Sequence, residues 1–357
     1  MHHKKITFVL LATLFFFAPL QAQTVIEGAV YDAHSKEAIP GVAVYLNGTS
    51  MATSSNGDGY FRLVVTDQIN TALVFSFLGY EPLVIEKPFE IREKSFFLSE
   101  KTEILAEAVI IGDKFSRAQK MKAFKEQFLG ESRAGKSCTI LNEDDLVLKY
   151  DPLEHRLSVF SANPLLIQND YLAYLVRVDL LSFTIQYSRY TLQKSHIKQL
   201  SFATAPSFVD QNPDDLKVAQ RRKEKHAQSQ QYFWKNLVNN TLEQANIKIY
   251  NGSKQTWPDL HFTIESTPTH SIVCLRPDAY LSRTRNGVED TIILGILSVL
   301  PYNGLASDIV FMTDRISVDA FGNIDAVGKV RFTGEMWKQR IGDQIPLDYA
   351  NYNTPQK

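Results

Sequence analysis

The chain has 357 residues, 44% hydrophobic, 11% aromatic and 22% charged, with 38 Lys+Arg against 39 Asp+Glu. Such a composition excludes disorder, collagen-like repeats and coiled coil, and the formal charge of −1 offers no basic face for nucleic acid. The length allows two or three domains.

The first 22 residues read as a secretory signal peptide. A basic start, His2-His3-Lys4-Lys5, precedes an unbroken apolar run from Ile6 to Phe17, and Leu20-Gln21-Ala22 supplies the small residue at the cut. The apolar run is too short for a membrane span, so cleavage after Ala22 is expected. The mature chain is then exported, to the periplasm or the outer membrane. No later segment reaches transmembrane length; the best candidate, Thr291–Leu300, is rich in β-branched residues and reads as a buried strand. Export to an oxidising compartment allows one disulfide between Cys138 and Cys274. Two buried free thiols fit the sequence equally well.

From Thr24 to about Ile111 the apolar residues alternate. Ile26, Gly28 and Val30 form one such run, Val42, Val44 and Leu46 another, then Phe61 with Leu63, and Leu73, Phe75 and Phe77. Turn signals separate them: Pro40-Gly41, Asn47-Gly48, Asn56-Gly57-Asp58-Gly59 and Gly79 to Pro82. Short strands at this spacing predict a seven-stranded antiparallel β-sandwich over residues 23–111. Four blocks also carry a resemblance: Gly28–Asp32, Ala38–Leu46, Asn56–Phe61 and Val74–Tyr80 resemble the carboxypeptidase regulatory-like domain. That resemblance implies a transthyretin-like or Ig-like sandwich in an exported bacterial protein. The domain often precedes the plug of TonB-dependent receptors, and Leu105–Gly112 is similar to the segment leading into that plug. The residues after Gly112 scarcely cover a 22-stranded barrel at ~10 residues per strand, so a receptor is not expected.

Phe115, Ala118, Met121, Phe124 and Phe128 fall three to four apart, which predicts a linker helix within 112–131 ending at Gly130. Residues 132–357 then read as a β-rich α+β domain. Leu146–Tyr150 and Arg156–Phe160 form a hairpin, and Leu172–Ile185, Phe262–Ile264, Ile272–Leu275, Asp308–Met312 and Val327–Phe332 form further strands. One helical excursion spans roughly Asp214–Gln244 and holds the basic run Arg221–Lys225 and the aromatic run Tyr232-Phe233-Trp234. Phe128–Gly130, Cys138–Asn142 and the tail from Gly322 to Tyr349 resemble an uncharacterised extension of the same exported family. That likeness implies no activity.

Three stretches resemble chemical motifs. Gly130-Glu-Ser-Arg-Ala-Gly-Lys-Ser137 fits the P-loop pattern, but a helix precedes it where a buried strand is needed. His34-Ser-Lys-Glu37 has zinc-ligand spacing, yet lies in a sandwich loop, and the resemblance places the zinc of carboxypeptidases in a separate catalytic domain. Asn56–Gly59 evokes a calcium loop but lacks the flanking acids, and is read as a hairpin turn. There is no G-x-S-x-G, and the mature histidines are scattered, with His226 and His261 read as solvent-facing. No catalytic residue, cofactor or metal is therefore expected. The reading is a non-catalytic envelope protein that binds or scaffolds another envelope protein or glycan. Tyr232, Phe233 and Trp234 are the candidate contact residues. The alternative is a hydrolase whose site assembles from distant residues of the second domain.

Overall fold

A computed structural model of the chain describes residues 24–66, 68–101, 113–267, 269–276, 295–300, 306–326 and 328–349. The signal peptide, the segment 102–112 and the first residues of the Thr291–Leu300 run lie outside the described residues.

The first unit is the expected sandwich of seven strands: β1 (Thr24–Asp32), β2 (Ala43–Leu46), β3 (Ala52–Ser54), β4 (Tyr60–Val65), β5 (Leu73–Ser76), β6 (Leu83–Ile85) and β7 (Ser95–Leu98). One sheet runs β4-β1-β7 and the other β3-β2-β5-β6. Alternation does what it must: Ile26 and Val30 of β1, and Phe61, Leu63 and Val65 of β4, point into a common core. There Phe75 stacks on Phe96 at 4.5 Å and meets Phe61 edge-on at 5.3 Å. Gly28 has to be glycine, because a Cβ there would sit 2.6 Å from the Lys94 carbonyl oxygen. The sandwich is not wholly antiparallel, since β1 and β7 pair in parallel. Ala29 faces Ser95 and Asp32 faces Leu98 in that register, a pairing between strands more than sixty residues apart that no local turn announces. All four residues of β5 are buried. The sheet that contains it is covered on both faces, and the outer cover is the second unit.

The second unit is a six-stranded sheet built from β8 (Cys138–Ile140), β9 (Leu146–Asp151), β10 (Arg156–Ser161), β11 (Leu165–Asn169), β12 (Tyr174–Tyr187) and β13 (Ile197–Asp210). Its order is β8-β11-β12-β10-β9, with β13 along the other edge of β12. Helix α1 (Arg117–Phe128) covers one face. A capping box between Ser116 and Gln119 starts it, and Phe124 and Phe128 stack at 4.7 Å against the edge of Phe183. A single turn, α2 (Arg133–Lys136), joins it to β8.

The helical excursion is two helices, α3 (Leu216–His226) and α4 (Gln230–Val238), capped by Asp215 and Ser229. Beyond them stands a third unit: β14 (Lys248–Asn251), β15 (Lys254–Thr256), β16 (Phe262–Ser266), β17 (His270–Leu275), β18 (Gly295–Leu300), β19 (Ser307–Phe311), β20 (Arg315–Asp319) and β21 (Val330–Phe332). These form a sheet β15-β14-β18-β19-β21 and a sheet β16-β17-β20. Residues 132–349 thus hold two separate hydrophobic cores. After α5 (Gly334–Lys338) the chain leaves the third core and runs back across the second, where Ile341, Ile345 and Tyr349 join the core under α1. Residues 339–349 are a strap between units.

Candidate functional site

The three units meet through polar groups that single-strand patterns do not announce. Asp179 on β12 accepts hydrogen bonds from the Tyr45 hydroxyl and the Ser76 hydroxyl, both at 2.7 Å, across the face where β2 and β5 lie on the central sheet. Arg177 donates to Ser76 Oγ at 2.8 Å, and Tyr45 and Val74 pack on Ala205. Burial and the neighbouring Asp179 charge push the Tyr45 hydroxyl far above the usual tyrosine range. Asp319 at the end of β20 accepts from the backbone N–H of Asn70 at 2.8 Å, and Asp348 of the strap accepts from the Ser50 hydroxyl at 2.6 Å. Both carboxyls are held above their ordinary pKa by burial, and the same hydrogen bonds oppose that shift. At these three carboxyls the sandwich presents the donors, and the other two units and the strap present the carboxyl oxygens.

Between these anchors the turn Asn47–Thr49 wedges into the junction. Gly48 donates its N–H to Pro206 O at 2.6 Å, Phe208 donates to Thr49 O at 3.0 Å, and Leu347 donates to Gly48 O at 2.7 Å. Two clefts, of about 360 and 320 Å³, flank the strap and share Gln339 and Asp343 in their walls. In the larger one three ion pairs form, Lys194 with Glu131, Lys338 with Glu335, and Lys225 with the buried Asp343, and Arg340 donates to the carbonyls of Trp337 and Gln339.

The residues singled out from sequence have other duties. Phe233 and Trp234, 0% and 1% exposed, belong to the third core, and Tyr232 packs partly buried against it. They are not partner anchors, because α4 turns Phe233, Trp234 and Leu237 together onto the sheets beneath. The basic run is structural too. Arg222, 4% exposed, forks onto both carboxylate oxygens of Asp210 and onto the carbonyls of Leu172 and Ala173. Cys138 and Cys274 are free thiols, the first packed against the second unit's core and the other on β17 of the third unit. The disulfide is not formed; burial instead pushes the Cys138 thiol up to about 12.

His261 is buried and shares a 2.7 Å hydrogen bond with the Thr256 hydroxyl. His226, also read as solvent-facing, is half-buried between the rings of Tyr232 and Tyr349. Burial first, and Lys235 second, bring its pKa down to about 4. An unfolded chain binds that proton near pH 6.5. Between about 6.5 and 4 the unfolded state thus takes up more protons, and stability falls as pH drops through that window. Thermal unfolding should show a decline worth about 3 kcal/mol at most. His226→Phe flattens the profile.

The P-loop match folds as a helix end. Gly130 closes α1 at φ +94°, Ser132 caps α2 and donates to Asp343, and a strand follows. Gly135 lies against Gly342, where a Cβ on Gly342 would sit 2.5 Å from the Gly135 Cα. Those glycines serve backbone packing. Gly342→Ala should cost about 1–3 kcal/mol or more in urea unfolding, while Lys136→Ala, on an exposed side chain, changes it by less than ~0.5 kcal/mol. His34 and Glu37 are exposed beside a turn in which Asp32 accepts the N–H groups of His34 and Ser35. Asn56–Gly59 is not a hairpin turn: it links β3 and β4, which lie in opposite sheets. Of its glycines Gly59 takes positive φ, at +75°. Among the described residues no three His, Cys, Asp or Glu side chains converge as for a metal ion.

Comparison with known proteins bears on the first unit. Residues 26–111 match the CarboxypepD_reg-like domain, and all seven sandwich strands fall in or beside that span. No curated protein matches the chain. Among solved structures, a 9R-lipoxygenase from Cyanothece PCC8801 aligns over 90% of this chain and 43% of its own, at 10% identity and a TM-score of 0.18. The chain spans less than half the length of that protein.

Proposed function

We propose, with a CarboxypepD_reg-like domain over residues 26–111 as the premise, that this chain is an exported, non-catalytic binding or scaffolding protein of the cell envelope. Its signal peptide is removed after Ala22, and the mature chain resides in the periplasm or against the outer membrane. There it holds another envelope protein or a glycan. The observation that carries this reading is the way the sandwich is fixed. A non-catalytic domain type is set into the other units at Asp179, Asp319 and Asp348, so that its turn at Asn47 and Gly48 lines the smaller cleft at the seam rather than hanging from a linker. No helix among the described residues is long and apolar enough to cross a membrane.

Fractionation of expressing cells, with N-terminal sequencing of the purified chain, tests the address. The expected result is a periplasmic or outer-membrane fraction beginning at Gln23. A cytoplasmic chain that keeps Met1 would overturn it. Crosslinking in intact cells tests the role, and the expected product is a discrete adduct with an envelope component.

A further inference from the structure

The smaller of the two clefts has a lining that names a ligand chemistry. The sandwich, the central sheet, the start of α4 and the strap contribute to it, and five of its residues end in carboxamides: Asn47, Gln230, Gln231, Gln339 and Gln344. Its carboxylate, Asp343, is already neutralised by Lys225 and bonded by Ser132. The cleft thus offers uncharged donors and acceptors with no unbalanced charge. Two amides are held in place by the fold: Gln231 Nε2 donates to Asn323 Oδ1 at 2.7 Å, and Gln339 Nε2 to Gln228 O at 3.0 Å. Asn47 Oδ1 is buried and has no hydrogen-bond partner among the described residues. A buried carbonyl oxygen in that state costs about 1–3 kcal/mol.

A polypeptide already sits in the same channel. The Asn47–Thr49 turn is held to the neighbouring units by main-chain bonds, to Pro206 and Phe208 on one side and to Leu347 on the other. Side-chain carboxamides present the same paired donor and acceptor as a peptide unit, so the lining beside the turn repeats the chemistry that holds the turn. Pro206 and Ile345 add apolar wall. We propose that this cleft seats a short, extended, uncharged segment of a partner polypeptide, bound through its main chain as strands are bound at a sheet edge. At about 320 Å³ the cleft is at the lower end of ligand-binding pockets, which suits a segment and not a folded domain. The inference rests on the reading of the chain as a binding protein and narrows it to one site and one ligand class.

The test uses residues 23–357 and a phage-displayed library of random linear peptides as probe. The comparison protein is the double variant Gln230→Arg/Gln344→Arg, at two half-exposed positions, with its thermal unfolding checked. Uncharged peptides should be enriched on the wild type and should lose about tenfold or more in affinity on the double variant. Hydrogen exchange should slow at 204–208 and 344–347 when a selected peptide binds, a measurement that needs no variant. The proposal is overturned if no peptide is enriched, if the enriched peptides are charged, or if they bind the variant equally and protect neither segment. A cell-envelope adduct that forms equally well on the double variant also removes the cleft while leaving the broader reading intact. Peptide protection at the cleft in a chain found to be cytoplasmic does the reverse.

Discussion

Trp234→Ala should lower the unfolding free energy of the third core by about 3–5 kcal/mol, the cost of emptying a large buried aromatic site. The indole is 1% exposed, meets Phe233 edge-on at 5.2 Å and lies 6.3 Å from Phe311 on the facing sheet. Trp234→Phe should cost much less. The indole Nε1 is buried without a hydrogen-bond partner among the described residues, so phenylalanine loses contact area but also removes a desolvated donor. Urea unfolding followed by hydrogen exchange in β19 and β20 separates the two variants. Full stability in the combined alanine variant of Tyr232, Phe233 and Trp234 would refute the assignment of this helix to the core. A partner-binding role for the same rings predicts that outcome.

The second large effect belongs to Asp179. Alanine there strips the Tyr45 and Ser76 hydroxyls of their shared acceptor, and Ser76 in turn accepts from Arg177, at a site closed to water. The expected cost is about 3–5 kcal/mol, because the groups left behind stay buried. The loss should be local. Exchange should quicken in β2 and β5, which lie on the central sheet, and stay slow in β1 and β4. Asp179→Asn keeps an acceptor oxygen and should recover about half of the loss, and Tyr45→Phe should cost about 1–2 kcal/mol. An Asp179→Ala protein with unaltered exchange in β2 would show that the sandwich is held by apolar contact alone.

The sandwich was legible because each strand carries its instruction locally: Ile26, Val30, Phe61 and Leu63 alternate, and glycine or asparagine marks the turns between. The linker helix and the β9–β10 hairpin were legible for the same reason. The parallel β1–β7 pair was not, since nothing near either strand names the other. Nor was the division of the second region into two cores, which depends on which strands find each other after α4. The aromatic run in α4 misled because its neighbour α3 is so basic. The spacing of Phe233, Trp234 and Leu237 was the signal of a buried face, but Arg221–Lys225 suggested a solvated surface that Arg222 does not share. The junction was the least legible part. Asp179, Asp319 and Asp348 are single acids, and only the assembled fold gives each its donor.

The strap also fixes an order of events during synthesis. Ser50 and Asp348 are 298 residues apart in sequence yet directly bonded, and Gly48 waits equally long for Leu347. The sandwich can close its own core as soon as β7 has been made, because all seven strands lie within residues 24–98. Its wedge into the junction is completed only when residues 347 and 348 have been made. Earlier still, until β12 and β13 exist, the outer face of β2 and β5 leaves Tyr45 and Val74 uncovered, an apolar sheet surface open to other chains and the kind of intermediate that aggregates or recruits chaperones. A nascent chain halted before residue 340 would carry a folded first unit whose docking turn, Asn47–Thr49, has lost one of its two sides. Synthesis of the strap, rather than folding of any one unit, is the step that locks the assembly.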